Sequence, residues 1–168
     1  LKVENNKKAI NKLLAKRNNI KGKEFREEVF DWLTKSPNLK VIPYEVKIKE
    51  NGMFNADRNY GDVDIMAFDI KNKILYSIEC KNTKQAKIMY DFQNDLKNYF
   101  EKQIPKHLNR EKWLKKNIND VLQVFKIERN NFKVKSVIIS SYQLPIKFME
   151  KTKIPIYSLN EIKMNSIF

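Results

Sequence analysis

The sequence predicts an α/β layer fold, and three observations carry the prediction. Apolar residues recur at helical spacing near the start and again in the middle of the chain. Runs rich in β-branched and aromatic residues lie between and after these stretches, and no repeat or low-complexity linker interrupts the order. At 168 residues the chain is long enough for one domain with a real core and short for two.

The elements follow in order. Residues 1–19 are polar and basic, with Ile10, Leu13 and Leu14 at helical spacing. They predict a loosely held N-terminal helical arm, separate from a domain over 20–168. In residues 22–33, Phe25, Val29 and Leu33 fall on one stripe flanked by Phe30 and Trp32, which predicts an amphipathic helix of about three turns. Ser36-Pro37-Asn38 ends it. A strand is expected over 41–49, with Pro43 marking an edge or the strand's beginning. A second is expected over 62–69 and a third over 74–81, joined by a turn at Lys71-Asn72. Helical spacing returns over 84–101, with Ile88, Phe92 and Leu96 in one stripe, and again over about 109–125. The nearly continuous Val and Ile of 134–140 predict a buried strand. A short helical stretch and a last strand over 154–157 close the chain.

Composition narrows the chemistry. Hydrophobic residues make up 42% and charged residues 32%, a globular balance. No apolar run approaches the roughly 18 residues of a membrane helix, and no signal peptide opens the sequence, so an intracellular, cytoplasmic protein without a membrane partner is expected. The first residue is Leu1 rather than Met, which fits a domain of something larger. A formal net charge of +14 favours a polyanionic partner, nucleic acid first, although the abundance of Lys and Asn also fits simple compositional bias. Cys80 is the only cysteine and His107 the only histidine. Multi-cysteine zinc sites and His-paired nucleophiles are therefore excluded. The three glycines form no phosphate-cradling loop, which removes an ATPase. Carboxylates and lysines remain.

They concentrate in Tyr60-Gly-Asp-Val-Asp-Ile65 and Ser77-Ile-Glu-Cys-Lys-Asn82. Strand side chains alternate, so Asp62 and Asp64 share one face of the second strand, and Glu79 and Lys81 one face of the third. A two-residue turn at Lys71-Asn72 sets Asp64 opposite Glu79 and Asp62 opposite Lys81, with Cβ atoms about 5 Å apart. Facing carboxylates repel unless a cation lies between them, and Mg²⁺ prefers such oxygen ligands. Asp64, Glu79 and the backbone carbonyl of Cys80 are the expected ligands, with Lys81 placed to orient a water or stabilise the transition state.

Gly61-Asp-Val-Asp64 followed by Glu79-Cys-Lys81 resembles the PD-(D/E)xK motif of the restriction-endonuclease-like nucleases. Holliday-junction resolvases and Mrr-like members, small and basic, are the nearest in form. The likeness covers roughly residues 20–100, and Gly61-Asp62-Val63 stands where the motif's Pro would be. The resemblance implies a restriction-endonuclease-like core, a mixed central β-sheet flanked by helices in the order α-β-β-β-α-β, with an extra C-terminal strand here. It implies catalysis by Asp64, Glu79 and Lys81, with Asp62 as the competing or accessory acid. The cofactor it implies is Mg²⁺, with Mn²⁺ substituting. It also implies a helix acid, for which Glu28 is the first choice and Glu24 the second, Arg26 standing where the acid is most expected.

Lys84, Lys87, Lys106 and Arg110 are candidate nucleic-acid contacts, with Lys97 and His107 beside them; each also fits a solvated helix face. Tyr60, Tyr90 and Tyr99 fit base stacking or core packing. The expected function is a metal-dependent endonuclease on DNA, as a homodimer or within a larger nuclease complex. The alternatives are a ribonuclease, a silent nucleic-acid-binding module and a basic protein-interaction domain.

Overall fold

The computed structural model describes residues 2–83, 88–129, 131–149, 152–165 and 167–168. The chain begins with one helix, α1 (Lys2–Leu33), where an arm and a separate helix were expected. Gly22 does not break it, because a glycine costs only about 1 kcal/mol against alanine in a helix. Residues 8–21 are exposed along its first half, Ile10, Leu13, Leu14 and Ile20 included. Only the expected stripe of Phe25, Val29 and Leu33 is buried.

The strand expected over 41–49 is two, β1 (Leu39–Val41) and β2 (Val46–Ile48), parted at Pro43, which has no N–H to give a ladder. The strand expected over 62–69 is likewise β3 (Gly61–Val63) and β4 (Ile65–Asp69), and the break falls on Asp64. β5 (Ile74–Lys81) has the expected bounds. β4 and β5 pair antiparallel, with Ile65 opposite Ile78 and Asp69 opposite Ile74. That is the register expected from a turn at Lys71-Asn72, although the ladder ends one pair earlier. The Asp69 carboxylate closes the turn by accepting from Asn72 N–H and Nδ2 (2.8 and 2.7 Å), and Lys73 takes φ 55°.

The two expected middle helices form one nearly continuous run: α2 (Met89–Asn98), a π-helical stretch (Tyr99–Gln103), α3 (Ile104–Lys116) and α4 (Ile118–Val124). Then come β6 (Lys133–Ser140), α5 (Ile146–Met149), β7 (Ile156–Ser158) and α6 (Leu159–Asn165), the last not anticipated.

The architecture is α/β: a mixed sheet of five strands, β1-β4-β5-β6-β7, flanked by helices, with β2 and β3 forming a small second sheet. β1, β4 and β5 are antiparallel, while β5, β6 and β7 are parallel. α1 and α6 cover one face of the sheet, through Val29, Leu33 and Ile162 against Ala67, Ile78 and Ile139. α3 and α4 cover the other, through Leu114, Leu122 and Phe125 against Met66, Phe68 and Leu75. Among the described residues no helix is long and apolar enough to cross a membrane.

Candidate active site

Asp64 sits where the chain leaves one sheet for the other. Its backbone belongs to neither ladder, and its Oδ2 accepts the Cys80 N–H at 2.7 Å. The bond ties the break in strand pairing to β5, one residue from Glu79. Extending the β4–β5 register by one step sets Asp64 opposite Glu79, as the sequence indicated. Extending the β2–β3 register by one step, from Val46 opposite Val63, sets Asp64 opposite Glu45 as well. Glu45 is turned toward α1, where it pairs with Arg26 at 3.1 Å.

Glu79 is 6% exposed and surrounded by nitrogen atoms. Lys81 Nζ lies 2.7 Å from Oε1, Arg110 Nη1 3.3 Å from Oε2 and His107 Nε2 3.6 Å from Oε2. Burial alone would raise its proton affinity, but Lys81, His107 and Arg110 outweigh burial and hold the carboxyl below its ordinary range. Asp64 has no such escort. Burial and the neighbouring Glu79 push it up to about 6, against the opposing pull of the Cys80 N–H and Lys81. The two carboxylates thus differ: Glu79 is stably ionised, and Asp64 carries the unrelieved charge.

α3 supplies two of the escorts. Ile104, His107, Arg110 and Leu114 form the buried stripe of this helix, which turns the imidazole and guanidinium inward. Arg110 is fully buried, and its Nε donates to the Tyr60 carbonyl at 3.3 Å. Its Nη1 also approaches His107 Nδ1 at 3.5 Å. A guanidinium has no acceptor, so Nδ1 accepts and the proton sits on Nε2, facing Glu79. Burial depresses His107 to about 4, assisted by Arg110 and Lys81 against Glu79. His107 is therefore neutral near pH 7, and its contact with Glu79 is not an ion pair.

Several expected placements are corrected. Arg110 was a candidate nucleic-acid contact, and instead it faces Glu79 from inside the core. His107 is likewise buried rather than on the surface. Glu28 does not complete the site: it is exposed and pairs with Lys163 of α6 at 2.9 Å, because its side of α1 turns away from the buried stripe. Glu24 is exposed too. Asp62 lies opposite Lys47 rather than Lys81, because β3 pairs with β2 and not with β5. Lys106 is exposed, its ammonium beside Gly61, while Lys97 is exposed on α2. Lys84 and Lys87 lie outside the described residues. Tyr60 packs on Trp113 and Tyr99 is buried; Tyr90 is exposed.

The sequence reading missed Glu45 and the inward stripe of α3. The stripe was detectable, since His107 and Arg110 share helical spacing with Ile104 and Leu114. Glu45 was not, because nothing local announced that the first and second strands would each split.

The oxygen donors fit a hard cation that keeps several waters. Lys81 O accepts from Ser141 N–H on the β6 side, so the Cys80 carbonyl, alternate in the strand, points to the side of Asp64. The raised Asp64 marks charge that a cation there would relieve. Among the described residues no group of three or more His, Cys, Asp or Glu side chains is placed to hold a metal, so protein ligation would rest on two carboxylates and a carbonyl. No family model, no curated protein and no solved structure matches the chain.

Proposed function

We propose that the protein is a metal-dependent endonuclease that hydrolyses phosphodiester bonds in DNA. The observation that carries this reading is the pairing of a relieved carboxylate, Glu79, with an unrelieved one, Asp64, beside the Lys81 ammonium. A site built only for stability would neutralise both.

Asp64, Glu79 and the Cys80 carbonyl would hold Mg²⁺, or Mn²⁺ in its place. Bound there, the ion supplies a more acidic water and offsets charge on the phosphate. Lys81, partly exposed and 2.7 Å from Glu79, orients the attacking water or meets the charge that builds on the phosphate oxygens. Arg110, with Lys81, keeps Glu79 ionised and fixed, so its geometry is set before substrate arrives. Lys106, exposed beside Gly61, is the basic group best placed to meet a flanking phosphate.

The test is cleavage of supercoiled plasmid, duplex and single-stranded oligonucleotides and RNA, with Mg²⁺, Mn²⁺ or EDTA. Metal-dependent cutting that disappears in Asp64→Ala and Lys81→Ala is the expected result, and the substrate panel separates deoxyribonuclease from ribonuclease. One observation favours a second reading, a silent nucleic-acid-binding module: both Glu79 oxygens already have nitrogen partners. Binding without cutting, indifferent to metal and to both substitutions, would establish that module instead.

A further inference from the structure

A groove beside the carboxylates, at the same end of the sheet, takes no part in the reading above. β5 and β6 run parallel, Glu79 beside Ile138 and Lys81 beside Ser140. The residues after β6 therefore emerge next to Lys81. Ser141 N–H donates to the Lys81 carbonyl at 3.0 Å, and Tyr142 follows directly. α2 and the π-helical stretch form the opposite wall. The space between is a cavity of about 100 Å³ that opens to solvent, with Phe92, Asp95, Leu96, Tyr99, Tyr142 and Leu144 among its lining. Open α/β sheets take ligands in crevices outside the carboxyl ends of their strands.

The wall's chemistry limits the occupant. α2 buries none of its residues, so the stripe of Phe92 and Leu96 is left half-covered toward the groove. Tyr142, 54% exposed, presents a second aromatic ring. Between these apolar surfaces stands the carboxyl of Asp95, raised by burial and by Asp91. Below lies Tyr99, 3% exposed, whose buried hydroxyl has no hydrogen-bond partner. Burial first, then the charges of Asp95 and of Glu79, hold the phenol proton on. A purely apolar guest would leave Asp95 and the Tyr99 hydroxyl unsatisfied. A flat heteroaromatic ring with its own donors and acceptors stacks on the aromatic walls and pairs with a carboxylate.

We propose that this groove takes a nucleobase, unpaired or turned out of its stack, from the nucleotide next to the phosphate held at Asp64, Glu79 and Lys81. The placement beside a cleaved phosphate rests on the nuclease reading; the capture of a base does not.

The experiment is a methyl-resolved NMR titration of the whole protein in EDTA, where no cleavage is needed. The probes are the four 2′-deoxynucleoside 5′-monophosphates, with inorganic phosphate and 2-deoxyribose 5-phosphate as controls. At least one nucleotide is expected to shift the methyls of Leu96 and Leu144 while the controls leave them in place. Asp95→Ala and Tyr142→Ala are each expected to weaken that nucleotide about tenfold. No shift with any nucleotide, or the same shift with phosphate alone, overturns the proposal even if Mg²⁺-dependent cleavage is intact. A base-dependent shift without cleavage of any substrate rejects the nuclease reading, and with it the placement beside a cut phosphate.

Discussion

Asp64→Asn is expected to stabilise the fold while abolishing cleavage. Asn keeps an oxygen to accept the Cys80 N–H and removes the charge that burial and Glu79 oppose. A carboxyl held at about 6 instead of 3.8 has its charged form disfavoured by about 3 kcal/mol, at 1.36 kcal/mol per tenfold change in proton affinity. The folded protein binds this proton more tightly than the unfolded chain does. Its stability from this group therefore falls as pH rises from 3.8 through about 6, and the penalty is full above that. Urea unfolding at pH 7.5 should show the variant more stable by about 1–3 kcal/mol, the upper figure being the full electrostatic term. At pH 4.5 the gap should shrink to about a third, because most of the wild-type penalty has gone. Saturating Mg²⁺ should stabilise the wild type and leave the variant unmoved. A variant less stable than wild type at pH 7.5, or a gap equal at both pH values, would refute the reasoning.

The neighbouring carboxylate should respond in the opposite direction. Glu79→Gln leaves the fully buried Arg110 without its anion, and Arg110→Met leaves Glu79 with one cation fewer; breaking such a buried pair costs about 3–5 kcal/mol. Urea unfolding of both single variants and the double variant should show a clearly non-additive sum, and simple additivity would mean that the two groups do not act as a pair. Gly61→Ala is expected to lower stability by about 1–2 kcal/mol, since Gly61 takes φ 85° and an added Cβ would stand 2.5 Å from Lys106 Cε and 3.1 Å from Arg110 Nη2. A thermal melt checks it, and an unchanged midpoint would show that Lys106 and the local backbone yield without strain.

How legible the site was in the sequence depends on what each position needed. Lys71-Asn72 and the apolar runs on both sides of it set the β4–β5 register, because a slip of one residue would exchange the side chains packed under α1 with those packed under α3 and α4. That register brings Asp64, Glu79 and Lys81 together by arithmetic alone. Arg110 and His107 were obscured by composition: in a chain this basic, two cationic residue types on a helix read as surface until their spacing is compared with Ile104 and Leu114. Glu28 was misplaced for the reverse reason. Its neighbour Val29 belongs to the buried stripe, but Glu28 and Glu27 beside it face solvent while Phe30 and Trp32 take the partly buried flank.

Glu45 required tertiary information, and it shows what the split strands achieve. Had residues 41–49 and 62–69 each run unbroken in one sheet, Asp64 would be one more ladder residue with its side chain against α3. The breaks at Pro43 and Asp64 hand the chain from the five-stranded sheet to the small β2–β3 sheet. At the handover a residue on the core strand faces two partners at once, Glu79 along one register and Glu45 along the other. Arg26 draws Glu45 aside at 3.1 Å, and Lys81 with Arg110 holds Glu79, so Asp64 alone keeps an uncompensated charge. The raised proton affinity of Asp64 therefore follows from burial first and then from the strand topology that sets Glu79 beside it, and the same break that leaves it unpaired turns its carboxylate toward the side of β5 that also presents the Cys80 carbonyl.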